Sequence, residues 1–303
     1  MFHGSIGSPA LLAAFVGFVL LMLALDLGVF HRKAHAVGLR EAGIWSGVWV
    51  ALAAVFAGIV WAVAGEDAAL SFTAGYVVEK ALAVDNIFVF VVLFAALGVT
   101  ADKQHRVLVW GIVGALFMRA AFIFAGGAFL DRFDWATYVF GGILLVTGVK
   151  LVLERNAEDR PEEGKIVRML RRVPLFRRYP MLLAIAAVEL SDVVFAVDSI
   201  PAVYAVTRDP FIVFTSNIFA ILGLRAMYFL LANVVQKFRY LKVGLSAVLV
   251  FVGAKMLLAD VVELHIVLSL AVIVAILGAA GVASALYNSA MKAESKFSAT
   301  RRR

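Results

Sequence analysis

Six acidic residues, Asp26, Glu79, Asp85, Glu189, Asp192 and Asp198, stand inside long apolar runs of this 303-residue chain. A charged side chain at the centre of a bilayer costs at least about 2.5 kcal/mol unless it is paired, wet or bound to an ion. Beside these acids lie the amide of Asn86 and the hydroxyl of Ser199, with Ser216 and Asn217 further along. All are hard oxygen donors, which suit Mg²⁺, Ca²⁺ or Mn²⁺ rather than Cu or Zn. The histidines fall at the ends of apolar runs or between them, and the chain has no cysteine, so thiolate metal chemistry and disulfides are excluded. Carboxylates of this kind can exchange a metal for protons, because they bind the metal only when ionised.

Five basic residues share the apolar runs: Lys80, Arg119, Lys150, Arg225 and Lys255. Lys150 and Lys255 lie near the ends of their runs, where a long side chain reaches the headgroups. Arg119 and Arg225 are too deep for that and are expected to pair with acids. Asp192 and Asp198 stand about 240° apart on a straight helix, so a shared site would need a break between them. Pro201, which lacks an N–H and crowds the carbonyl of Val197, is the expected helix break.

These residues recur in order. Placing AVDNI (83–87) over AVDSI (196–200) aligns Glu79 with Asp192, Asp85 with Asp198 and Asn86 with Ser199. The match continues from GIVGALFMR, ending at Arg119, to NIFAILGLR, ending at Arg225, and from TGVKL at Lys150 to VGAKM at Lys255. Three helices per copy is an odd number, so consecutive copies enter the membrane from opposite sides. Inverted repeats with a midplane site at their interface are a common design of secondary transporters.

The elements that must carry these residues are helices. Hydrophobic residues make up 63% of the chain, against roughly 45–50% in soluble domains. Apolar stretches occur near residues 9–30, 42–64, 70–97, 107–130, 136–153, 181–205, 211–232, 243–259 and 264–287, each near the roughly 20 residues that cross a hydrocarbon core. They lack the alternation of barrel strands. The expected fold is an all-α membrane protein of about nine transmembrane helices. Its parts are two N-terminal helices (1–68), a first repeat (69–153), a basic cytoplasmic linker (154–180), a second repeat (181–260) and a last helix with a basic tail (261–303).

With the N-terminus outside, the cytoplasmic segments collect 21 of the 28 Lys and Arg residues and the outer segments only Arg132 and Arg208. That bias favours nine spans with the C-terminus in the cytoplasm. The first run has no Lys or Arg before it, unlike a signal peptide, and is expected to be retained. The net charge of +7 is explained by membrane topology and anionic lipid, not by nucleic acid. No GxxxxGK[ST], HExxH or GxSxG occurs, so neither an ATP-driven pump nor an enzyme is expected.

Four stretches carry a resemblance: LDLGVFHRKAH (25–35), GYVVEKALAVDNIFVF (75–90), ELSDVVFAVDSIPAVYAVTRDPFIVFTSNIFAILGLRAMYF (189–229) and FRYLKVGL (238–245). On them the chain resembles the TerC family of bacterial integral membrane proteins, named for tellurium resistance. The resemblance implies a multi-pass protein of the bacterial inner membrane, tied to metal homeostasis, whose members include Mn²⁺ exporters. It implies a transported Mn²⁺ ion, with Ca²⁺ as the neighbouring choice, and no permanently bound cofactor. The six acids with Asn86 and Ser199 are the residues expected to matter. The family's EKSLSxDN is EKALAVDN here, so Ala81 and Ala83 supply no hydroxyl. The competing expectation is a non-transporting membrane component of a tellurium or metal stress-resistance complex, docked through residues 154–180.

Overall fold

A computed structural model describes residues 6–28, 38–133, 135–153, 161–231, 240–259, 261 and 264–301. Among them there is no strand, and the chain is a bundle of helices. Nearly every apolar stretch becomes a helix: α1 (Pro9–Gly28), α2 (Leu39–Ala64), α3 (Glu66–Leu97), α4 (Ala101–Arg132), α5 (Ala136–Leu153), α8 (Pro180–Tyr204), α11 (Leu241–Leu257) and α12 (Ile266–Arg301). The stretch 211–232 is instead a pair, α9 (Pro210–Leu222) and α10 (Leu224–Leu231), bent by 42°. Among the described residues, five helices are long and apolar enough to cross a membrane, six if the bent pair counts as one span, and three apolar helices are shorter. A multi-pass membrane protein is the outcome.

The helix break lies at Gly223 and not at Pro201. Helix α8 continues through Pro201 to Tyr204. Pro201 sits in the last turn, so only one helical bond is lost, and Ala205 N–H donates to the Pro201 carbonyl at 3.0 Å. At Gly223 the ammonium of Lys80 instead donates to the Ala220 carbonyl at 3.1 Å, satisfying an acceptor beside the bend.

The segment 154–180, expected as a solvated linker, is described from residue 161 and is helical over most of that part. It forms α6 (Pro161–Leu170) and α7 (Pro174–Arg178). Ile166, Val167 and Leu170 place apolar groups in a cluster with Leu183 and Ala187 of α8, while Arg168, Arg171 and Arg172 are exposed.

The core is a set of helix pairs whose directions follow from their contacts. Helices α4 and α8 run parallel: Val188 faces Gly111, Glu189 faces Gly114 and Tyr204 faces Gly127. Helices α3 and α9–α10 also run parallel, with Gly75 against Ser216 and Phe94 against Tyr228. Helices α3 and α8 are antiparallel, since Gly75 faces Val203 while Val89 and Leu93 share a core with Leu183 and Ala187. Helices α4 and α9–α10 are antiparallel too, joined by Phe124–Phe214 near one end and Gln104–Tyr228 near the other. The closest backbones are those of α5 and α11, again antiparallel, where Gly141 meets Gly253 and Gly148 meets Ser246. Small residues there let the two helices touch along their main chains.

Candidate functional site: a buried arginine between two carboxylates

Four core helices meet at Arg119. Its side chain on α4 is 1% exposed, far too deep to snorkel. The Nε and Nη2 atoms donate to the two carboxylate oxygens of Asp192 on α8, at 3.1 and 2.9 Å. This is the two-pronged fork that a planar guanidinium makes best. Nη1 donates to Glu79 Oε1 on α3 and, at 3.1 Å, to Asn217 Oδ1 on α9. Glu79 and Asp192, aligned by the internal repeat, therefore share one cation at the crossing of α3, α4, α8 and α9.

The cluster is electrically and chemically incomplete. One positive charge faces two negative ones. Glu79 is fully buried, yet among the described residues its Oε2 has no hydrogen-bond partner, and neither has Nδ2 of the fully buried Asn217. Buried polar atoms without partners are rare in native proteins, because each loses its hydration without recompense. One helical turn before Asp192, Glu189 lays its carboxylate against Gly114 of α4, and its Oε1 is likewise buried without a partner among the described residues. A Cβ at 114 would overlap the carboxylate, which would have to shift.

The other expected site residues are placed as follows. Asp198 accepts from the Thr147 hydroxyl of α5 at 2.9 Å and so turns to a different helix from Asp192, as the rotation along α8 requires. Asn86 and Ser199 are both buried, and among the described residues Oδ1 of the first and Oγ of the second have no partner. Arg225 lies on α10, with Nη1 at 3.0 Å from His105 Nε2 of α4. Lys150 and Lys255 lie near the ends of α5 and α11. Asp26 and Asp85 lie on α1 and α3, but their side chains fall outside the described residues. Among the described residues, no three His, Cys, Asp or Glu side chains gather as metal ligands. The described carboxylates at the crossing are held by Arg119 instead.

Sequence reasoning named Asn217 only as an oxygen donor and did not foresee Thr147 or the Lys80 contact. Asn217 and Lys80 carried a signal, a polar group inside an apolar run. Thr147 carried none, because a lone threonine in a membrane helix usually bonds its own backbone.

The sequence profile of the integral membrane protein TerC family matches residues 63–292. A relative from Myxococcus xanthus, "Uncharacterized membrane protein STKORF319", is 58% identical over 92% of this chain and 93% of its own length. In Escherichia coli K12, "Putative membrane-bound redox modulator Alx" is 45% identical over 90% of this chain and 93% of its own. A Rickettsia felis protein named "Uncharacterized membrane protein" is 34% identical over 84% of this chain and 91% of its own. No solved structure matches. With its helices, its buried charges and a profile match over most of its length, the chain belongs to the TerC family of integral membrane proteins.

Proposed function

We propose that the chain is a divalent-cation carrier that exports Mn²⁺, with Ca²⁺ as the alternative cargo, across the bacterial inner membrane in exchange for protons. In this reading it has nine spans, with the N-terminus outside, the C-terminus in the cytoplasm and α3–α5 and α8–α11 as inverted repeats. One observation carries the reading: Glu79 and Asp192, equivalent in the two proposed halves, converge in the buried core of the helix bundle with a fully buried carboxylate oxygen left over. The helix directions support inversion. Each equivalent pair, α3 with α8, α4 with α9–α10 and α5 with α11, is antiparallel. Even the contact of Gly141 with Gly253 and that of Gly148 with Ser246 exchange with one another when the halves are swapped.

Oxygen ligands and the lack of thiols favour a hard ion. The carboxylates would bind it ionised and release it as they take up protons. Alx is named as a redox modulator. This chain has no cysteine, so a comparable effect here could not pass through its own thiols.

A second reading has an observation of its own. Arg119 already neutralises part of the acidic pair, as a structural ion cluster in a non-transporting component would. Transport decides between them. In proteoliposomes loaded with a pH-sensitive dye, Mn²⁺ entry should be accompanied by opposite proton movement. Glu79→Gln, Asp192→Asn, Asp85→Asn and Asp198→Asn should each abolish Mn²⁺ flux while the protein still elutes as a monodisperse peak. No Mn²⁺ flux from the unmodified chain would remove the carrier reading, unchanged flux in all four variants would remove the carboxylate site, and Mn²⁺ flux without pH change at clamped potential would remove proton exchange.

A further inference from the structure

We propose that the Arg119 guanidinium is a tethered cation: it holds the substrate's place between Glu79 and Asp192 and must swing away before a divalent ion can enter. This rests on the carboxylate reading above and adds the group that competes with the cargo.

Charge is the first argument. A single guanidinium leaves the Glu79–Asp192 pair one positive charge short of neutrality, whereas a divalent cation balances it. In a low-dielectric crossing that difference favours exchange of the bound group over addition of a second cation. Unused ligand capacity is the second. A purely structural salt bridge would be expected to satisfy its buried partners, but Glu79 Oε2 and Asn217 Nδ2 are both fully enclosed and unpaired among the described residues. The cradle offers more than the guanidinium takes.

The displaced side chain also has somewhere to go. Side chains on a helix lean toward its N-terminus, and on α4 that direction leads from Arg119 toward Gly114, where Glu189 lies. Glu189 is three residues before Asp192 on α8, so the two carboxylates stand about one turn apart on neighbouring positions of one face. Its buried Oε1 has no donor among the described residues. Moving from Asp192 to Glu189, the guanidinium would exchange one carboxylate for another without entering hydrocarbon unpaired.

The test measures Mn²⁺ binding to the purified full chain in detergent by titration calorimetry. Arg119→Gln should bind Mn²⁺ more tightly than the unmodified chain, by on the order of tenfold, the size of a typical coupling between competing ligands. Free guanidinium ion at millimolar concentration should then compete with Mn²⁺ in Arg119→Gln but have no effect on the unmodified chain. Glu189→Gln should weaken Mn²⁺ binding several-fold, because the displaced side chain loses its acceptor. If Arg119→Gln binds Mn²⁺ no more tightly and guanidinium does not compete, while Asp192→Asn still abolishes binding, the tethered cation is refuted and the carboxylate site stands. If Glu79→Gln and Asp192→Asn both leave binding unchanged, the carboxylate site itself is refuted. Should Arg119→Gln fail to purify, Arg119→Lys decides. Its ammonium has no fork with which to hold both Asp192 oxygens, so tighter Mn²⁺ binding is expected and equal or weaker binding overturns the proposal.

Discussion

Asp192 and Asp198 stand six residues apart on one helix, and their partners are Arg119 on α4 and Thr147 on α5. That separation was legible in the sequence, because the turn of an α-helix fixes it. The need of Arg119 for an acid was legible too, since depth forbids any other solution. Which acids it would find was not, because the choice depends on how α3 and α8 pack on α4. The same residue scale yields a prediction at Thr147. Replacement by valine keeps the shape but removes the hydroxyl that the half-buried Asp198 accepts from, and loss of one such bond costs about 1 kcal/mol. Thr147→Val should therefore lower the thermal midpoint in detergent, and an unchanged midpoint would show that Asp198 relies on other donors. Gly114→Ala should disturb transport more than folding, because its Cβ would press on the Glu189 carboxylate, a flexible group that can shift. A fall in Mn²⁺ flux with little change in midpoint is the expected result.

At the scale of elements, the two glycine contacts between α5 and α11 differ in kind from the contact at Gly114. A Cβ at Gly253 would lie 2.8 Å from the Gly141 carbonyl oxygen and 2.9 Å from the Leu145 nitrogen, both backbone atoms that cannot turn aside. Gly253→Leu should cost several times the ~1 kcal/mol of an ordinary substitution, whereas Gly281→Leu on α12, with open space around it, should be nearly silent. Comparing thermal midpoints of these two variants tests whether α5 and α11 form the tightest joint of the bundle. The bend tells a similar story about what sequence can show. Proline marks a helix that lacks one bond, and α8 absorbs that loss in its final turn. The break at Gly223 needs a donor from another helix, and that contact is invisible in a one-dimensional pattern. Lys80→Met should leave the Ala220 carbonyl without this donor and destabilise the protein by about 1–3 kcal/mol, read as a drop in midpoint that Lys80→Arg partly restores.

For the whole molecule, hydropathy alone placed nearly every helix, because apolar length is what a bilayer demands. It overstated the uniformity of those helices, since three apolar helices are short and one stretch is bent. The charge bias makes a direct forecast of orientation: a reporter inserted near Glu163 or fused after Arg303 should read as cytoplasmic, and one near Glu66 as external. A reporter at Glu163 that reads as external would reverse every helix in the bundle. The bend at Gly223 has a consequence for the work cycle. In the proposed inverted scheme its counterpart falls at Phe117 of α4, which is a continuous helix. The two halves thus wear different shapes at one moment, like the arms of a see-saw with one end down. Trading shapes would tip the beam the other way at little change in internal energy, apart from the counterweight that Lys80 adds on one side. A balanced beam has no preferred direction of its own. Under this scheme, export or import would be decided by the load on each end, the metal and proton gradients, and reversing those gradients in vesicles should reverse the flux.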